Sequence, residues 1–482
     1  LGDERYGALI DGAASIIDFG GNNITTGNKS VAIILQNSGQ LNNTLHDITV
    51  GDEAVGIYLA DFTNVVSPSS RTINLGTGST GIYGENGGNI QLDGSILSSA
   101  YGAKGIASKN SAVTWIENSG IINLSGAASV GMYGEGIAQI RNSSGKTIKI
   151  GDGDILNSKS GVGIFGLNSD SIVNEGIIEF GNEAAGIYGE NITSGIENKA
   201  GSLLTNNGGQ KGTGIFAKGS TVENRGTITL GDTSNGIYSD NGPVNNYDNI
   251  TVGNNKSAGI FTSGTADINH ISGTVSAGSD SVILASENGN IVNSSTLTST
   301  GEGTTYIYSK AGNGETNTAL TLTDYSVGMY GQSGIMTNKN VITVGKSDVA
   351  AGKFSVGMAT ETGTIVNSAG SYITVGNEAG VGMFAGGVEV KHPDGTVTFG
   401  PSGRAENYGT IDVTGLKAYG MLGTNGATVY NDLNGTINVD GTGAKGLVGT
   451  NEAHLINNGI INVNGNNAQG VYIEKGATLT NT

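Results

Sequence analysis

A short motif, Gly followed by Ile or Met and then Tyr or Phe, returns along the whole chain. A sequence that repeats at a near-constant interval folds as a stack, a ring or a string of equivalent units. Clear copies start at Gly56, Gly81, Gly131, Gly163, Gly186, Gly214, Gly236, Gly259, Gly328 and Gly382. Weaker copies stand at Gly7, Ala32, Gly105, Val282, Tyr306, Gly357, Gly420, Gly446 and Gly470, making 19 anchors spaced about 26 residues apart.

A second element, Val/Ile-x-Asn-x-Gly-x-Ile-x-Val/Leu, follows most anchors; Val222 to Leu230 is one copy. A third, Gly-Asp/Asn-Glu-Ala, precedes an anchor at Gly51, Gly181 and Gly376. Each unit thus holds two or three alternating stretches punctuated by Gly, Asn, Asp and Ser, the pattern of short strands joined by tight turns. The β-branched residues, Gly and Asn, with no stripe of helical period, exclude helices. A propeller needs about 40 residues per blade, and this many copies exceed a closed ring. The expected fold is all-β, a single-stranded parallel β-helix of about 18 to 19 coils over residues 1–482, each unit burying its neighbour's apolar face.

The composition agrees. Of 482 residues 84 are Gly and 4 are Pro, and charged residues are 13 %, as a slender stack with a turn at every corner requires. No third-residue glycine period exists, which excludes collagen. With 23 Lys+Arg against 41 Asp+Glu, a net charge of -18 argues against nucleic acid and against an anionic bilayer as partner. Cysteine is absent, which removes disulfide and thiol chemistry. No apolar run is long enough to insert in a membrane, and Leu1 to Gly12 has no signal-peptide pattern.

In this register, equivalent residues form columns. An Asn column contains Asn118, Asn174, Asn224, Asn246, Asn293, Asn338, Asn407 and Asn457, expected to link side-chain amides to neighbouring backbone at a bend. An aromatic column contains Tyr58, Tyr83, Tyr133, Phe165, Tyr188, Phe216, Tyr238 and Phe261, followed by Tyr308, Tyr330 and Phe384. Alternation points these rings outward, either stacked on one another or offering flat faces to a sugar or a protein. A third column, four residues after the anchor, alternates in sign: Glu85, Lys109, Glu135, and then Glu190, Lys218, Asp240.

Binding regions on solenoids often arise where the register is interrupted. The long interval after Gly382 suggests an insertion at 387–404, with Pro393-Asp394-Gly395 as the turn of a hairpin and Lys391, His392, Asp394 and Arg404 as candidate partner contacts. A second candidate insertion spans 137–159 and offers Arg141, Lys146 and Lys149. Between Ala60 and Arg71, Asp61-Phe62-Thr63-Asn64 and Pro68 interrupt the pattern as well.

Chemical motifs are missing. No phosphate loop follows a strand, and His46, His270, His392 and His454 fall in different coils, so neither a metal site nor a cofactor is expected. A β-helix glycosidase or lyase would need paired carboxylates. Asp52, Glu53, Asp152, Asp154, Glu183 and Glu378 are raw material, though most sit in the repeating turn. No catalytic residue is expected.

Ala54-Val55-Gly56-Ile57-Tyr58, Ser129 to Glu135, Val173 to Ile178 and Ala184 to Glu190 resemble the very large autotransporter adhesins of fusobacteria. The resemblance runs through nearly the whole chain. It implies a type V secreted passenger on the cell surface, joined to the outer membrane through its own C-terminal β-barrel. Such passengers attach to a host or bacterial surface protein or glycan. Gly2-Asp3-Glu4 and Gly476 to Asn481 each open a repeat part-way, as expected of a portion of a longer chain. A passive stalk carrying its adhesive tip elsewhere and a carbohydrate-active β-helix enzyme are the rival readings.

Overall fold

The computed structural model describes residues 2–18, 21–41, 47–61, 71–392 and 397–482. Nineteen anchor strands, one per turn, stack in parallel to form a β-solenoid, and one 3₁₀ turn, Ile155–Asn157, is the only helical element among the described residues. The chain divides into two compact units, Leu1–Asp248 and Asn249–Thr482. The first contains ten anchor strands, from Tyr6–Asp11 to Asn235–Asp240; the second contains nine, from Ala258–Ser263 to Gln469–Ile473.

One turn of the first unit comprises the strands Ala185–Glu190, Gly195–Asn198 and Leu203–Thr205, and the next comprises Thr213–Lys218, Val222–Asn224 and Thr227–Thr229. Equivalent strands pair in register, with Ile187 on Ile215, Ile196 on Val222 and Leu204 on Ile228. Each turn therefore sends one aliphatic side chain inward from each of three strands. Ile164, Ile187, Ile215 and Ile237 form one such column, and Ile172, Ile178 and Leu204 belong to the other two; all are 0 % exposed. Burying each contributes about 1.5–3 kcal/mol, which makes the columns the main stabilising term of a narrow core.

In the second unit Met329, Met358, Met383 and Met421 pair in register as the anchor column of that unit. Met336 also compensates for a missing side chain at Gly314, where an added Cβ would lie 2.4 Å from the Met336 Cε. An unbranched, flexible thioether suits such an irregular gap.

The anchor glycine has a specific cause. A Cβ on Gly163 would lie 2.5 Å from the carbonyl oxygen of Gly186 and 2.4 Å from the Ile178 Cγ2, so the backbone of one turn occupies the space a side chain would need. Three turns place Ala32, Ile283 and Tyr306 there instead, all buried. The register assigns this position to Ile283 and not to Val282, because Val282 pairs with Thr305. Tyr306 turns into the core and donates its hydroxyl to the Thr321 carbonyl at 2.7 Å.

A second, external column holds the corners. The Oδ1 of Asp3 accepts the amide of Asn28, that of Asn28 accepts Asp52, and that of Asp52 accepts Thr77, at 2.7–2.8 Å. The following residue, as at Lys29 and Glu53, adopts a left-handed backbone (φ 52° and 53°). Its amide is aimed at the next turn, Lys29 to the Asp52 carbonyl and Glu53 to that of Thr77. This hydrogen bond offsets a conformation that non-glycine residues rarely adopt.

Candidate interaction surfaces

The Asn column is internal. In the first unit Asn118, Asn142, Asn174, Asn198, Asn224 and Asn246 form a chain in which each Nδ2 donates to the next Oδ1 at 2.7–2.9 Å. All six are 0 % exposed. Backbone contacts are secondary, as in the Gly176 amide on Asn174 Oδ1 at 3.3 Å. The second unit has a corresponding chain, Asn338, Asn367, Asn407, Asn431, Asn457 and Asn481. His270, Asn293 and Thr316 precede it; His270 Nε2 lies 3.2 Å from the Thr296 carbonyl and Asn293 donates to Thr316.

The rings of the aromatic column lie face to face. Tyr133, Phe165, Tyr188, Phe216 and Tyr238 stack with centroids 4.6–5.3 Å apart, and Tyr58 with Tyr83 and Tyr308 with Tyr330 form shorter stacks. Stacked rings expose edges, so the interior faces of these stacks are closed to a sugar. Ala107 interrupts the column between Tyr83 and Tyr133. There Lys109 sets its ammonium 5.5 Å from the Tyr133 ring centre and 2.8 Å from Glu135.

Hydroxyls on the column meet carboxylates, Tyr133 to Glu135 at 2.7 Å and Tyr188 to Glu190 at 3.0 Å. Burial, followed by these hydrogen bonds, raises both tyrosines to about 12. The partners Glu135 and Glu190 are held below the usual carboxylate range, chiefly by hydrogen bonds from Lys109 and Lys218 and then from the tyrosines. Lys218 completes the charge column with Glu190 at 2.8 Å. Such carboxylates remain ionised, the opposite of what a general acid requires. The corner acids are engaged too: Asp152 accepts the Asn182 amide at 2.7 Å and Glu183 pairs with Lys211 at 2.7 Å.

The register shows where the candidate contacts lie. Arg141 stands inside the strand Val130–Asn142, between Glu117 and Val173 of the adjoining turns, with its Nη2 2.7 Å from Glu175. Lys149 is in the strand Thr147–Ile150 and pairs with Glu179 at 3.5 Å. The expected 137–159 insertion is thus corrected: residues up to Ile150 remain in the ladder, and the departure is a small loop between Asp154 and Lys159. Lys146 borders a corner and makes no ion pair among the described residues.

That loop closes on itself. Asp154 and Lys159 exchange backbone hydrogen bonds, Asp154 Oδ1 accepts the Asn157 amide at 3.2 Å, and Lys159 lies 5.2 Å from the Tyr101 ring centre. A counterpart in the second unit went unread in the sequence. Asp348 and Lys353 exchange the same backbone bonds, Asp348 Oδ1 accepts the Ala351 amide at 3.0 Å, and Lys353 lies 4.9 Å from the Tyr325 ring centre. Asp-x-x-x-x-Lys ahead of a Val-Gly anchor is the signal that links them. Each displays apolar side chains to solvent, Ile155 and Leu156 in one and Val349 and Phe354 in the other.

The third elaboration is an antiparallel hairpin, Gly387–Lys391 paired with Val397–Ser402, whose strands pair only with each other. Its base is clamped by Asn425, which donates Nδ2 to the Gly387 carbonyl and accepts the Ser402 hydroxyl on its own carbonyl, each at 3.2 Å. Val388, Val390 and Val397 are 38–42 % exposed. Lys391 pairs with Glu389 at 3.4 Å and His392 Nε2 contacts the Thr398 hydroxyl at 2.8 Å. Arg404 is not part of the hairpin: it lies in the solenoid strand Arg404–Asn407, paired with Glu406 and 5.2 Å from the Tyr430 ring centre. Asp394, His46 and the break at 62–68 fall outside the described residues.

Residues 269–482, within the second unit, match a family model described as the BigA third pectate lyase-like domain. Comparison with curated proteins and comparison with solved structures each gave no match. The match and the stacked parallel turns together fit a passenger-like β-helix.

Proposed function

We propose that this chain is the displayed passenger of a surface adhesin of the fusobacterial autotransporter type and that it attaches without catalysis to a host or bacterial surface protein or glycan. The observation that carries this reading is the hairpin at 387–402. It projects two unpaired strand edges and three exposed valines from a solenoid whose internal amides bond one another and several of whose external charges form ion pairs. An extended segment of a partner adds to such an edge by backbone hydrogen bonds, with side chains supplying selectivity. The similarity of residues 269–482 to a BigA domain supports display at the cell surface. Outer-membrane attachment through a C-terminal barrel belongs to the same proposal.

The test is saturable binding of the purified chain to epithelial cells and to partner bacteria, measured by flow cytometry. Binding competed by unlabelled chain supports adhesion. No binding to either favours a stalk, and product release from an acidic polysaccharide by the same preparation favours an enzyme.

A further inference from the structure

Two adjoining depressions of the first unit, of about 480 and 410 Å³, open on one face, formed by the parallel strands Thr72–Leu75, Ser95–Ser98, Ile121–Leu124 and Thr147–Ile150. Their size is that of small-ligand sites. The first follows the corners that precede these strands. Those corners carry Gly94, Gly120 and Gly145, and a Cβ on Gly120 would collide with the Gly94 carbonyl. Close stacking of bare backbone at Gly94 and Gly120 therefore floors the hollow, whereas Gly145 faces open space.

Its rim is charged, with Arg71 and Lys146 at the outer turns and Asp93 between them. Gln91 donates to Asp93 at 2.8 Å. Lys146 has no carboxylate partner among the described residues, whereas Lys149 has Glu179. The second hollow is neutral and polar, lined by Asn74, Asn123, Ser98 and Ser125. The Oδ1 of Asn123 is shielded from solvent and accepts no hydrogen bond. An unmet acceptor of this kind is costly; being shielded it faces no ligand directly, and the polar groups that line the hollow beside it are Asn74, Ser98 and Ser125. Among the described residues no aromatic ring lines either hollow, so selection operates through hydrogen bonds and charge and not through stacking.

We propose that this face binds an acidic oligosaccharide, its hydroxyls meeting Asp93, Asn74 and Ser98 and its carboxylate or sulfate meeting Lys146 and Arg71. A strand of four residues spans about 13 Å, the reach of a short run of sugar rings. The site is separate from the hairpin, and neither proposal depends on the other.

Calorimetric titration of the whole chain with a hyaluronan octasaccharide, a heparan sulfate hexasaccharide and neutral chitotetraose tests it. At least one acidic probe is expected to bind more tightly than the neutral one, with affinity falling as salt rises. Lys146→Glu is expected to weaken that binding by about tenfold or more, since a charge-assisted contact becomes a repulsion. Asn74→Asp, which preserves side-chain volume, is expected to act in the same direction, and Lys417→Glu, in the second unit and outside both this face and the hairpin, is expected to have no effect. Circular dichroism of each variant verifies its fold. Failure of both acidic probes to bind overturns the proposal. So does equal affinity for the neutral probe, or affinity unchanged in a folded Lys146→Glu protein. A chain that attaches to cells yet ignores the acidic probes refutes this site alone.

Discussion

Asn174 donates its side-chain amide to the Asn198 oxygen at 2.8 Å, and both side chains are fully shielded from solvent. Asn198 in turn donates to Asn224 at 2.8 Å and accepts the Ser202 hydroxyl at 2.7 Å. A buried polar chain of this kind is favourable only while each link is made.

Asn198→Ala is therefore expected to leave an amide, an oxygen and a hydroxyl short of partners and to cost about 2–4 kcal/mol, measured by urea unfolding. Glu197→Ala, one residue away on the outer surface, is expected to change stability by less than about 0.5 kcal/mol. Equal effects would remove the ladder from the account of stability.

Gly163→Ala places a methyl group against the Gly186 carbonyl and Ile178. The expected loss is about 1–3 kcal/mol, the usual cost of overpacking a core. Thermal melting measures it, and an unchanged melting temperature would show that the stack yields at no cost.

Burial, and then the hydrogen bonds to Glu135 and Glu190, push Tyr133 and Tyr188 up to about 12. Because their folded values lie above the ordinary 10, the stability they lend is complete below pH 10 and is lost as pH rises towards 12. Glu135 and Glu190 are depressed, so their contribution is present above the ordinary carboxylate range and is lost as pH falls below it. Ultraviolet titration of phenolate should show a late-ionising group of tyrosines that shrinks in a Tyr133→Phe/Tyr188→Phe protein. A single transition at the ordinary value in both proteins would contradict the burial described.

Much of this architecture was legible in the sequence, because one glycine contact and one aliphatic column impose the same letters on every turn. The Asn column was legible where Asn-x-Gly follows, as at Asn118 and Asn174, and from the preceding alternation alone at Asn246, Asn293 and Asn338. Asn142, Asn198 and Asn367 escaped because their corners hold two extra residues and read Asn-x-x-Gly, which shifts the punctuation without moving the amide. Asn431 and Asn481 escaped too, and His270 and Thr316 occupy the column with other chemistry. Anchor spacing reveals that a turn is long but not which residues leave the ladder. For that reason Arg141, Lys149 and Arg404 were read as protrusions although they stand in paired strands. The polar face at Arg71 to Thr147 carries no motif, since its concavity owes to backbone meeting backbone where Gly120 stacks on Gly94.

The functional account rests on contacts made by the hairpin projecting from a self-satisfied solenoid. Its most direct test is attachment to cells of beads coated with the intact chain or with a chain in which 388–401 is replaced by a short Gly-Ser link. Gly387 and Ser402 lie opposite each other, so the link closes without moving the solenoid. The account predicts unchanged melting and attachment reduced by about tenfold, as when an interface loses its central contacts. Attachment undiminished by the deletion, in a protein of unchanged melting temperature, would contradict it.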